Sequence, residues 1–106
     1  MSVTTFAVAQ EDLSVSIIDF NTQKPVANLE VLLVNSSRNS SLQQISNAQG
    51  KVTFRGIPAL DGYQVVFEGT LIYAAQKSEL ISVRSNQAPN VTLVLAPKES
   101  NELNEV

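Results

Sequence analysis

Two short stretches limit what this chain can fold into. The first, Asp19-Phe20-Asn21-Thr22-Gln23-Lys24-Pro25-Val26-Ala27-Asn28-Leu29-Glu30-Val31, joins two alternating apolar runs through a turn that ends in Lys-Pro-Val-Ala-Asn. The second, Ser46-Asn47-Ala48-Gln49-Gly50-Lys51-Val52-Thr53-Phe54, is another turn feeding another alternating run. Turn and strand repeating at this spacing is the pattern of a small antiparallel β-sandwich. Such a scaffold points to a binding or spacer module rather than to an enzyme.

The rest of the chain follows the same period of two. Leu13–Asp19 is predicted as a first strand, and Lys24-Pro25 fixes φ and closes the connection. Leu29–Val34 is apolar on both faces, the mark of a strand with neighbours on either side. A polar loop over Asn35–Ser41 leads to Leu42–Ser46, a short edge strand. Gly50 supplies positive φ before the run carrying Val52 and Phe54. Gly56–Gly62 reads as a crossover loop, Tyr63–Glu68 as the next strand, then Leu71–Ala75, Leu80–Val83 and Asn90–Leu95, which Pro97 stops. The expected core is Val15, Ile17, Val31, Leu33, Val52, Phe54, Val65, Phe67, Ile81, Leu93 and Leu95. The fold class expected is therefore all-β, a seven-stranded antiparallel β-sandwich of Ig-like or transthyretin-like type.

At 106 residues there is material for one core, and 43% apolar with 16% charged residues argues against global disorder. The expected organisation is a flexible tail over 1–12, a sandwich over 13–97 and a flexible linker over 98–106. Ala7-Val8-Ala9 has the small-x-small pattern of a signal-peptidase site, so 1–9 reads as the remnant of an export signal. The net charge is −3 and no basic patch gathers to neutralise phosphates, so nucleic acid is not an expected partner. No apolar run reaches the roughly 20 residues of a spanning helix, so direct membrane insertion is not expected either.

Reactive chemistry has little to work with. The chain holds no Cys and no His, which removes thiolate chemistry together with the commonest general base and zinc ligand. Asp19, Asn21 and Gln23 alternate like an oxygen-rich calcium loop, but Lys24 stands where a sharp Gly turn is needed and Glu30 belongs to a strand. Asp61 and Glu68 are separated by a strand and form no carboxylate dyad. No cofactor and no metal are expected. Asn35-Ser36-Ser37, Asn39-Ser40-Ser41 and Asn90-Val91-Thr92 fit the glycosylation sequon, as a chain rich in Ser and Asn does by chance.

The order Asp, Thr-x-Lys-Pro-Val-Ala-Asn-x-x-Val, Gly-Lys-Val-Thr-Phe, Ile-Pro, Gly-Tyr-x-Val resembles the carboxypeptidase regulatory-like domain, a transthyretin-like seven-stranded sandwich, over roughly residues 13–96. Asn28 stands where many members carry Gly, and Asn also tolerates left-handed backbone. The ending, Leu95-Ala96-Pro97 followed by Lys98–Val106, is similar to the junction in Bacteroidetes-type TonB-dependent outer-membrane transporters. There the sandwich precedes the plug, and a TonB box follows, which Leu103, Glu105 and Val106 match in part. Pilin and adhesin modules also carry Thr-x-Lys-Pro and form an internal Lys–Asn crosslink. Ile17 occupies the position of the required Lys here, so Asn90 and Glu68 have no partner for it.

The resemblance implies a non-catalytic domain at the periplasmic face of the outer membrane, tethered to the plug and barrel of the same polypeptide. TonB or another periplasmic protein is the implied partner. The candidate contact residues are Leu42 and Gln44 on the edge strand, Tyr73 near a loop end, and Leu103, Glu105 and Val106 in the tail. Two alternatives stand beside it: a surface adhesion, stalk or carbohydrate-binding module of a larger secreted protein, and an accessory domain of a peptidase.

Overall fold

Alternation along the chain is realised as two sheets pressed together through their inner faces. The computed structural model describes residues 10–38, 41–87 and 89–98. Within them the strands are β1 (Gln10–Asp19), β2 (Glu30–Asn35), β3 (Ser41–Ile45), β4 (Lys51–Pro58), β5 (Tyr63–Phe67), β6 (Gln76–Lys77) and β7 (Asn90–Leu95). One sheet has the order β4-β1-β7 and the other β3-β2-β5-β6. The fold is an all-β sandwich.

Ten of the eleven expected core positions are buried, with Phe54 and Phe67 the largest. Ile81 is only partly buried, while Leu13, Ile57, Tyr63 and Val83 join the core. Ile81 sits on the rim because its segment meets β5 through a single bridge, Tyr63↔Ile81, rather than a ladder.

The turns behave as their residues require. Asp19 Oδ1 accepts from the N–H groups of Asn21 (2.7 Å) and Thr22 (2.9 Å), an Asx turn that starts the first connection. Asn28 takes φ +63°, and Gly50 takes φ +71°. Gly50 is packed so closely that a Cβ there would lie 2.7 Å from Ile17 O and 2.9 Å from Val26 N. Ser46 is buried and ties the β2 and β3 approaches together: its hydroxyl donates to Val26 O and accepts from Leu29 N, both at 2.9 Å.

Four features differ from the sequence expectation. β1 begins at Gln10 rather than Leu13, because β4 runs on to Pro58 and offers Gln10 and Glu11 a partner strand. Gly56-Ile57-Pro58, expected in a crossover loop, therefore completes β4. β7 pairs with β1 in parallel, from Ser14↔Asn90 to Asp19↔Leu95; side-chain alternation carries no information on strand direction. Leu71–Ala75 and Leu80–Val83 form only isolated bridges, and the ladder strand is Gln76–Lys77. Thr70 Oγ1 accepts from the N–H groups of Ile72 and Tyr73 and bends the chain where Leu71 and Ile72 are exposed; Leu80, beside the single Tyr63↔Ile81 bridge, is exposed as well. The signal-like segment 1–9 and the tail from Glu99 onward lie outside the described residues.

Candidate functional site

Among the described residues β3 and β4 are each the terminal strand of their sheet, so the side of the sandwich where they lie is open. Ser46 N donates to Leu29 O and Asn28 N to Ser46 O, so Ser46 turns its backbone toward β2. By alternation Gln44 and Leu42 do the same, and Ser41, Gln43 and Ile45 turn theirs to the free edge. All five β3 residues are exposed, including Leu42 and Ile45. Leu42 and Gln44 share the face of buried Ser46, toward the opposite sheet, while Gln43 bonds the Glu30 carboxylate on the outer face.

Leu42 lines a cleft of about 270 Å³ between the two sheets. Leu33, Leu42, Ile57, Pro58 and Tyr63 form its apolar walls, and Arg38 and Arg55 stand among the polar groups around it. Tyr63 donates its hydroxyl to Pro58 O at 2.6 Å, and burial pushes its pKa up while the nearby Arg38 charge pulls the other way. Asn35, buried at the end of β2, donates Nδ2 to Asp61 O at 3.0 Å and accepts from the Ser37 N–H and hydroxyl. That braces the turn that carries Arg38, whose N–H bonds Asn35 O.

Arg55 reaches this cleft through a bulge. The register Leu13↔Phe54 becomes Glu11↔Ile57, one extra residue on β4 opposite Asp12. Gly56 takes φ +65° there, and its N–H is held by Asp12 Oδ1 at 3.1 Å. The cleft was not found in the sequence. Its signal was the broken spacing Val52-x-Phe54-x-x-Ile57 with a Gly inside it, which marks a bulge.

The opposite side carries a wider groove of about 620 Å³ between the Gln76–Ser82 segment and β7. It is shallower and holds both Lys77 and Glu79, so it offers no charge preference.

Tyr73 lies at the far end of the sandwich from the cleft. It is half-buried and packs against the core, and its hydroxyl donates to Asp19 Oδ2 at 2.6 Å. That bond holds the Asp19 carboxyl below the usual range, helped by the Thr22 and Asn21 N–H groups, and raises the Tyr73 hydroxyl. The structure thus brings Leu42 and Gln44 together but leaves Tyr73 apart from them. Leu103, Glu105 and Val106 lie outside the described residues. Among the described residues no group of three or more His, Cys, Asp or Glu side chains is placed to hold a metal ion.

No protein-family model and no curated protein matches the chain. Solved structures do. The minor pilin GBS52 of Streptococcus agalactiae superposes with TM-score 0.75 at 13% identity, over 92% of this chain and 48% of the pilin. The 5-hydroxyisourate hydrolase of Klebsiella pneumoniae superposes with TM-score 0.61 at 21% identity, over 84% of this chain and 92% of the hydrolase. The fold is transthyretin-like. A candidate carbohydrate-binding protein from Bacteroides uniformis gives TM-score 0.59 at 15% identity, over 84% of this chain and 41% of that protein. The transthyretin-like sandwich thus spans less than half of the pilin and of the Bacteroides protein. At these identities the likeness is one of fold.

Proposed function

We propose that this chain is a non-catalytic interaction module of an exported protein, and that a partner segment pairs with its β3 edge. One observation carries the reading: an exposed edge strand, paired on one side only among the described residues, beside an apolar cleft in an otherwise well-packed sandwich. Edge strands recruit extended peptides through backbone hydrogen bonds, with side-chain pockets supplying selectivity. Reactive side chains are scarce, since the chain has neither His nor Cys.

In its finer form the proposal places the module at the periplasmic face of the outer membrane, N-terminal to the plug of a TonB-dependent transporter. Support comes from the turn order through Gly62-Tyr63 and from the similarity of Leu103, Glu105 and Val106 to the start of a TonB box. A short linker would keep the module near the plug at an effective concentration on the order of millimolar. Titrating the isotopically labelled chain with the C-terminal domain of TonB tests it: amide shifts at Ser41–Ile45 support the reading, and an unchanged spectrum overturns direct contact.

The pilin and candidate carbohydrate-binding neighbours favour a second reading, a spacer or adhesion module of a surface protein. The coding sequence beyond Val106 separates the two. A plug and barrel supports transport, and further tandem sandwiches support adhesion.

A further inference from the structure

We propose that the β3–β4 cleft selects an acidic strand: an extended segment with an apolar anchor residue and a carboxylate two positions away. This rests on the reading that β3 is the contact edge. A strand added to β3 lies about 4.8 Å beyond it, over the mouth of the cleft. Its side chains alternate, so every second one faces inward beside Leu42. One of these enters the cleft against Leu42, Ile57 and Tyr63, and its neighbour at i±2 meets Arg38 or Arg55.

Size and charge define the occupant. At about 270 Å³ the cleft is smaller than a usual small-molecule pocket, and it suits a single aliphatic side chain. The chain carries ten acidic against seven basic residues, yet two of its cations stand at this cleft and, among the described residues, no carboxylate lines it. Asp12, the acid at the bulge, accepts the Gly56 N–H through Oδ1 and does not line the cleft. Among the described residues the ion pair formed is Arg84–Asp61, and neither Arg38 nor Arg55 has a carboxylate within 4.0 Å. A guanidinium presents a planar fork that takes a carboxylate through two hydrogen bonds. β3 itself, Ser-Leu-Gln-Gln-Ile, is uncharged and puts nothing in the way. Pairing of β3 with β3 of a second copy would bring the arginines of both copies to one seam, so a foreign acidic strand is the better occupant.

The test uses the full chain and three blocked heptapeptides with the pattern Thr-X-Thr-Leu-Thr-X-Thr, where X is Glu, Gln or Lys. Binding is followed by amide shifts and by titration calorimetry. The expected result is shifts centred on β3 and the cleft, with the Glu peptide about tenfold tighter than the Gln peptide and tighter still than the Lys peptide. In the Arg38→Gln/Arg55→Gln double variant this ranking collapses to within about twofold. Both side chains are exposed, and an otherwise unchanged amide spectrum verifies that the variant is folded.

Equal affinity of the three peptides for the original chain, with shifts still at β3, overturns the acidic selectivity and leaves the edge reading standing. Shifts confined to β7 and the 76–82 segment overturn the edge reading itself. Concentration-dependent dimerisation through β3 also overturns the proposal, since the occupant is then a second copy.

Discussion

Replacing Gly50 by Ala tests how tightly the first two connections are locked together, and replacing Gly56 supplies the control. Both glycines have nearly the same left-handed backbone, φ +71° and +65°. A left-handed non-glycine residue costs about 1–2 kcal/mol, and at Gly56 that is the whole expected loss, because the nearest heavy atom to a new Cβ is Gln10 Oε1 at 3.7 Å. At Gly50 the new Cβ would sit 2.7 Å from Ile17 O, 2.8 Å from Pro25 Cβ and 2.9 Å from Val26 N. Val26 N donates to that same Ile17 O at 3.0 Å, so the methyl group would drive into a backbone hydrogen bond. Losing that bond costs about 0.5–1.5 kcal/mol, and overpacking against the rigid Pro25 ring adds about 1–3 kcal/mol. Gly50→Ala should therefore lose roughly 3–6 kcal/mol of a total near 5–15 kcal/mol. Urea unfolding followed by circular dichroism, with an unchanged slope, measures both variants. Equal losses for the two would refute the claim that crowding rather than φ makes Gly50 obligatory.

Phe54→Ala and Phe67→Ala remove the two largest fully buried side chains and should each cost about 3–5 kcal/mol in the same unfolding experiment. Ser46→Val leaves Leu29 N and Val26 O without their buried partner, an expected loss of about 1–3 kcal/mol measured the same way. In Tyr73→Phe the Asp19 carboxyl should titrate higher than in the original chain, as read by side-chain NMR. Asp19 is depressed in the folded state, so its contribution is present above the unfolded carboxylate pKa of about 3.9 and disappears as pH falls through the folded value. Tyr73 is raised, so its share is present below about pH 10 and disappears as pH rises through its folded value. The variant should lose the Tyr73 dependence altogether and keep only the part of the Asp19 dependence that the Thr22 and Asn21 N–H groups supply.

Much of the sandwich could be read from the chain because a half-buried strand writes its two faces in alternate residues. Val15 and Ile17, Val31 and Leu33, Val65 and Phe67, Leu93 and Leu95 all point where their spacing puts them. Asn28 adopts the left-handed backbone that its place in the turn demanded, and Leu42–Ser46 gave the edge strand to within a residue. Direction was not legible, since parallel and antiparallel partners show the same alternation; hence the β1–β7 pair. Apolar letters misled around Leu71 and Leu80, where a Thr70 turn and isolated bridges leave those side chains in solvent. Half of the candidate site followed the same logic. Leu42 and Gln44 sit on the open edge, but Arg38 and Arg55 join them only because a bulge and an Asn35-braced turn bring separate segments together. Tyr73 shows the converse: its partner Asp19 is 54 positions away, and no local pattern marks a pair so distant.

Amide hydrogen exchange along β3 tests the central claim most directly. In the free chain Leu42 and Gln44 should exchange slowly and Gln43 and Ile45 quickly, because only the first two turn their N–H groups to β2. With the Glu heptapeptide bound, Gln43 and Ile45 should slow as well. Rapid exchange persisting at both of them in the complex, with protection gained at Thr92 and Val94 on β7 instead, would contradict the account.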